Sequence, residues 1–152
     1  MTVRFLGSLI ACMWSLFICA ATQSPMLVVL LMVKNEQEVI VPTLETFISS
    51  DLRAGKKDTG EVAYVLYDTG STDATVKITK EFFAKYGIQH CSIAQEEFID
   101  FATSRNKALE VARTTYPEST FILFPDAEWY MHGFDDLVSF CREKVNEYTT
   151  LN

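Results

Sequence analysis

The chain has 152 residues, 49% hydrophobic and 22% charged, with a formal net charge of −7. That length allows one domain with a core of its own, and the acidic balance excludes a nucleic-acid surface, which needs a basic stripe. A nucleotide pocket stays open, because a bound cation can supply positive charge locally.

The segment 1–24 reads as a leader and short linker, and 25–152 as the domain. Arg4 precedes an uncharged stretch from Phe5 to Ala21, roughly 17 residues, short for a membrane span and long for a signal-peptide core. Cys19-Ala20-Ala21 offers the small residues of a cleavage site. A cleaved signal peptide or an uncleaved anchor both fit, and either places the chain in the secretory pathway or at a membrane. Cys91 and Cys141 are the cysteines beyond the leader. They could pair, but two free thiols are the plainer reading.

Met26 to Val33 is a continuous apolar run and predicts a central parallel strand. Glu36 to Ser50 predicts one helix, with Pro42 in its first turn or at a kink. Asp51 to Gly60 reads as a polar loop, and Glu61 to Tyr67 as a second strand. Ser71, Thr72 or Asp73 can cap the next helix, which runs to about Tyr86 and ends at Gly87. Its inward side is Ile78, Phe82, Phe83 and Tyr86. Ile88 to Ile93, including His90, predicts a third strand. Asp100 to Thr115 predicts a helix with Ala108, Leu109 and Ala112 inward. Thr120 to Phe124 predicts a fourth strand, and Phe134 to Tyr148 a last helix. Strands alternating with helices indicate an α/β fold with a mostly parallel sheet. The first strand is not followed by Gly-x-Gly-x-x-Gly, which disfavours a dinucleotide-binding domain.

The chemistry gathers where strands end. Phe121 to Phe124 is an apolar run that leads through Pro125 into Asp126-Ala127-Glu128. Alternation puts both carboxylates on one side of an extended segment. Hard oxygen donors at the carboxyl edge of a parallel sheet suit a divalent cation, and a cation there suits a diphosphate. Val65 to Tyr67 likewise ends in Asp68, followed by Gly70 and a helix start. Asp68 reads alone as a turn residue bonded to the following backbone, and Asp73 as a helix cap. Arg105 lies near a helix N-terminus, where the dipole disfavours a cation by a few tenths of a kcal/mol. An anion or acidic neighbour would offset that cost, and Glu97 or Asp100 would serve. Lys34 could be a solvated strand-end charge. His90 and His132 lack metal-ligand spacing.

Four segments in this order resemble the nucleotide-sugar half of glycosyltransferase family 2. They are Met32-Val33-Lys34-Asn35-Glu36, Asp68 to Thr75, Ser104 to Leu109, and Asp126-Ala127-Glu128. The resemblance runs from about Met26 to about Phe140. It implies a GT-A fold whose Rossmann-like, nucleotide-binding half is present here. It implies transfer of a sugar from a nucleotide diphosphate, a UDP-sugar by default, with Mn²⁺ or Mg²⁺. It places Lys34, Asn35, Glu36, Asp68, Asp73, Arg105 and Asp126 at the nucleotide sugar, with Asp68 on the nucleobase. It places the metal on Asp126 and Glu128, although the commoner family pattern has Asp where Glu128 stands.

The resemblance also implies an acceptor half with a general base, and no residue here matches that base. Asp135 and Asp136 read better as the first turn of the last helix. The strand leading to Asp126 would then have an open edge, to be covered by a partner chain or a second copy. The alternative function is a non-catalytic module that binds nucleotide or a partner.

Overall fold

The computed structural model describes residues 24–150. The leader, with Cys12 and Cys19, lies outside the described residues. Among the described residues, no helix is long and apolar enough to cross a membrane.

Four strands form one parallel sheet. They are β1 (Leu27–Val33), β2 (Val62–Asp68), β3 (Cys91–Gln95) and β4 (Phe121–Leu123), in the order β3-β2-β1-β4. The helices are α1 (Ile40–Thr46), α2 (Ser50–Arg53), α3 (Thr75–Lys85), α4 (Phe101–Thr115) and α5 (Phe134–Thr150).

β1 is apolar on both sides because both sides are covered. Leu27, Val29, Leu31 and Val33 join Tyr64 and Leu66 in a core closed by Leu44, Phe82, Phe83, Phe134 and Val138, from α1, α3 and α5. Val28 and Leu30 join Ala63, Val65 and Tyr67 in a second core closed by Ala108 and Ala112 of α4. Right-handed crossovers explain the split. The chain steps one way from β1 to β2 to β3, which stacks α1 and α3 on one face. It then passes back over β1 to β4, which puts α4 on the other.

The expected helix over 36–50 is two pieces. Asn35 has φ 58°, in the left-handed region, so the chain turns before a helix begins. Pro42 sits in the first turn of α1, where it lacks no intrahelical bond. Val39, Ile40, Val41, Thr43 and Thr46 are β-branched and support only a short helix. Ser49 then adopts an extended conformation and accepts from the Leu52 amide, starting α2 within the expected loop.

The third strand begins at Cys91, three residues later than expected. Gly87 (φ 64°) ends α3, with Gly87 N–H donating to Ala84 O and Ile88 N–H to Phe83 O. That double bond pattern consumes Gly87 and Ile88 in the helix cap. His90 therefore precedes the strand, its Nδ1 3.2 Å from Gly60 O. Cys91 and Cys141 are free thiols. The expected inward residues of α3 and α4 do face the cores.

Candidate functional site

The connections reverse direction between β1 and β4. Parallel sheets bind ligands in the crevice at such a switch point, outside the carboxyl ends of the strands. Lys34, Asn35 and Glu36 follow β1 there, and the acidic segment follows β4.

The wall over β1, β2 and β3 is closely cross-linked. Asn35 N–H donates to Ser71 Oγ (2.8 Å), and Asn35 Oδ1 accepts from Thr72 N–H (2.8 Å). Glu36 N–H donates to Thr75 Oγ1 (2.8 Å). The left-handed backbone of Asn35 aims its amide side chain at the neighbouring loop, and Asn tolerates that region better than most residues. Asp68 is fully buried. Its carboxylate accepts from Ser71 N–H (3.2 Å) and from the Gln95 side-chain amide (3.2 Å).

Asp73 braces the same loop. It accepts from Thr75 N–H and Oγ1 and from Gln37 N–H. Desolvation works against its charge, but the bonds from Thr75 and Gln37 together hold its carboxyl below the ordinary range. The helix N-cap itself is Ala74, with no side-chain cap.

The wall over β4 is open. Asp126 forms a parallel bridge with Met32, so the acidic segment runs on beside the end of β1. Ala127 turns inward, and its carbonyl accepts from the Thr43 hydroxyl. Asp126 and Glu128 are both exposed, but not through the expected extended alternation: Ala127 and Glu128 form a turn closed by Trp129 N–H donating to Asp126 O (3.1 Å). Arg105 reaches Asp126 from α4. Its Nη1 lies 3.3 Å from Asp126 Oδ1, with side-chain exposures of 41% and 60%. Its guanidinium lies 4.2 Å from the centre of the Phe124 ring, a cation–π contact. Neither Glu97 nor Asp100 is its partner: Asp100 caps α4 by accepting from Thr103 N–H (2.7 Å).

Glu36 links the two walls electrostatically. Burial, then the charges of Glu128 and Asp73, push its carboxyl above the ordinary range. The crevice thus carries five acids, Glu36, Asp68, Asp73, Asp126 and Glu128, and few cations. Lys34 lies 5.8 Å from the centre of the Phe98 ring.

Among the described residues, no three His, Cys, Asp or Glu side chains form a cage for a metal ion. The donor set is two exposed carboxylates two residues apart. Such a set fits Mg²⁺ or Mn²⁺, which take one or two carboxylates and complete their shell with phosphate oxygens and water.

Sequence reasoning did not single out Gln95, and it offered Ser71 only as a helix cap. Gln95 enters the site because it pairs in register with Asp68. The Ser71 and Thr75 hydroxyls accept from the Asn35 and Glu36 amides of the opposite loop. His132 lines a shallow hollow beside β4 with Trp129 and Tyr130. Asp135 accepts from Ser50 N–H in the first turn of α5.

Comparison with known proteins agrees with this architecture. The family profile described as "Glycosyl transferase family 2" matches residues 28–132. No curated protein sequence matches the chain. Among solved structures, S. aureus TarS 1-349 superposes with TM-score 0.57 at 23% identity, over 77% of this chain and 32% of that one. The same protein in complex with UDP gives TM-score 0.54 at 24% identity, over 77% and 32%. The mannosyltransferase PcManGT from Pyrobaculum calidifontis, in complex with GDP-Man and Mn²⁺, gives TM-score 0.57 at 21% identity, over 77% and 31%. The chain therefore spans about a third of the length of these structures, and it shares with them the Rossmann-like nucleotide-binding half of the GT-A fold. The chain belongs to glycosyl transferase family 2.

Proposed function

We propose that this domain binds a nucleoside diphosphate sugar with a divalent cation, as the donor-binding half of a glycosyltransferase. The observation that carries this reading is the placing of Asp126 beside the end of β1, at the switch point between β1 and β4, with Arg105 on it and Glu128 exposed two residues on. The UDP, GDP-Man and Mn²⁺ of the similar structures support it.

In this reading Asp126 and Glu128 hold Mn²⁺ or Mg²⁺, which neutralises charge on the leaving diphosphate. Arg105 adds a second positive charge at the diphosphate. The Gln95 amide that now bonds Asp68 gives way to a nucleobase N–H. Lys34, Asn35 and Glu36 line the nucleotide, and Asp73 keeps their loop in place. Transfer needs an acceptor site and a general base, which must reach the acceptor hydroxyl directly or through one water.

Thermal unfolding of the full chain with UDP or GDP, each with and without Mn²⁺, tests this. Ligand at about 100 times its dissociation constant stabilises by roughly 2.7 kcal/mol. The expected result is a nucleotide shift that depends on Mn²⁺ and vanishes in Asp126→Asn. A cooperatively unfolding protein with no shift under any condition would overturn the reading.

A further inference from the structure

Arg105 is held by two groups at once. Its guanidinium rests on Phe124 and bonds the oxygen of Asp126 that faces α4. An arginine is charged at every working pH and cannot withdraw by losing a proton. Asp126 is more exposed than Arg105 and lies beside the end of β1. A divalent cation on Asp126 would therefore sit within a few ångströms of a fixed positive charge.

We infer that Arg105 is the built-in counter-ion of Asp126, which a metal must displace, so that metal and nucleotide diphosphate bind cooperatively. The inference rests on the donor-site reading above and adds an order to it. Without nucleotide, Arg105 competes with the metal for Asp126. A diphosphate offers Arg105 a bidentate partner of higher charge than the carboxylate. Arg105 then moves from carboxylate to phosphate, and Asp126 is left free for the cation. Phe124 keeps the guanidinium at the crevice during the exchange. By linkage, the factor by which nucleotide tightens metal equals the factor by which metal tightens nucleotide.

Mn²⁺ binding to the full chain, read from the electron paramagnetic resonance signal of the free ion, tests this. It is measured alone and with saturating UDP or GDP, in the wild type, Arg105→Gln and Arg105→Lys. Arg105→Gln should bind Mn²⁺ alone about threefold to tenfold more tightly than the wild type, since an exposed ion pair is weak but the repulsion it imposes is lost. It should also lose most of the tightening by nucleotide. Arg105→Lys, which keeps the charge, should stay nearer the wild type without nucleotide. Circular dichroism confirms that each variant is folded.

Equal or weaker Mn²⁺ binding by folded Arg105→Gln, including no binding by either protein, overturns the inference. The donor-site reading fails separately, if the wild type with Mn²⁺ takes up no nucleotide. The arm with Mn²⁺ alone still decides the counter-ion role in that event.

Discussion

The two walls of the crevice are built differently. The wall over β1, β2 and β3 is tied by bonds among Asn35, Glu36, Asp68, Ser71, Thr72, Thr75 and Gln95, and Asp68 is buried within it. The wall over β4 has exposed carboxylates and one ion pair of 3.3 Å. The first wall is pre-organised, and in the proposed reading a nucleoside would meet fixed backbone and amide groups there with little ordering to do. The second stays electrostatically unsatisfied, with acids crowding Glu36.

Removing Asp68 should do the most damage. Asp68→Ala empties a fully buried position and leaves the half-buried Ser71 amide and the exposed Gln95 side chain without their acceptor. The expected loss is about 2–3 kcal/mol in urea unfolding. A change within experimental error would break the claim that this wall is rigid. Asn35→Ala comes next, because alanine must hold the left-handed backbone and give up the bond to Thr72. We expect about 1–2 kcal/mol lost by the same measurement. Asn35→Gly should recover part of it, since glycine adopts that backbone freely.

The second wall should respond in the opposite way. Asp126→Asn should change stability by less than about 0.5 kcal/mol, as is usual for an exposed position. Yet it should abolish Mn²⁺-dependent nucleotide binding in calorimetry. A large loss of stability would mean that the acid is structural.

The smallest expected effect is on the Glu36 titration. Its folded-state pKa is raised by burial first and then by Glu128 and Asp73. A raised acid contributes stability that is present below its unfolded pKa and is lost as pH rises through the folded value. Glu128→Gln removes one of the charges. It should lower the Glu36 pKa toward, but not to, the ordinary value, and flatten the stability profile through that window. Side-chain carboxyl NMR reads it directly. An unchanged Glu36 pKa would separate the two acids.

The pre-organised wall was only partly legible in the sequence. The apolar runs gave the strands because both sheet faces are covered. Gly87 and Asp100 marked the end of α3 and the start of α4 through purely local bonds. The turn at Asn35 was not legible, because an Asn in a left-handed conformation looks like any polar residue before a helix. Its bonds go to residues 36 and 37 positions away. The role of Gln95 depends on the register of β3 against β2, and on a strand that extends to Gln95, beyond the expected end at Ile93. On the other wall, Asp126 and Glu128 are both exposed as expected, but a turn after Asp126 and not strand alternation puts them there. The partner of Arg105 did not follow from sequence, since Asp126 lies 21 residues away and meets it only through the crossover of α4 onto β4.

The most direct test of the account is paramagnetic broadening by Mn²⁺ in the amide NMR spectrum of the ¹⁵N-labelled full chain, with and without UDP or GDP. The account predicts that, with nucleotide, broadening centres on Asp126 to Trp129 and spreads to Met32 through Glu36 across the crevice. Asp126→Asn should remove it. Broadening centred away from the ends of β1 and β4, or unchanged in Asp126→Asn, would contradict a metal-assisted nucleotide site at the switch point.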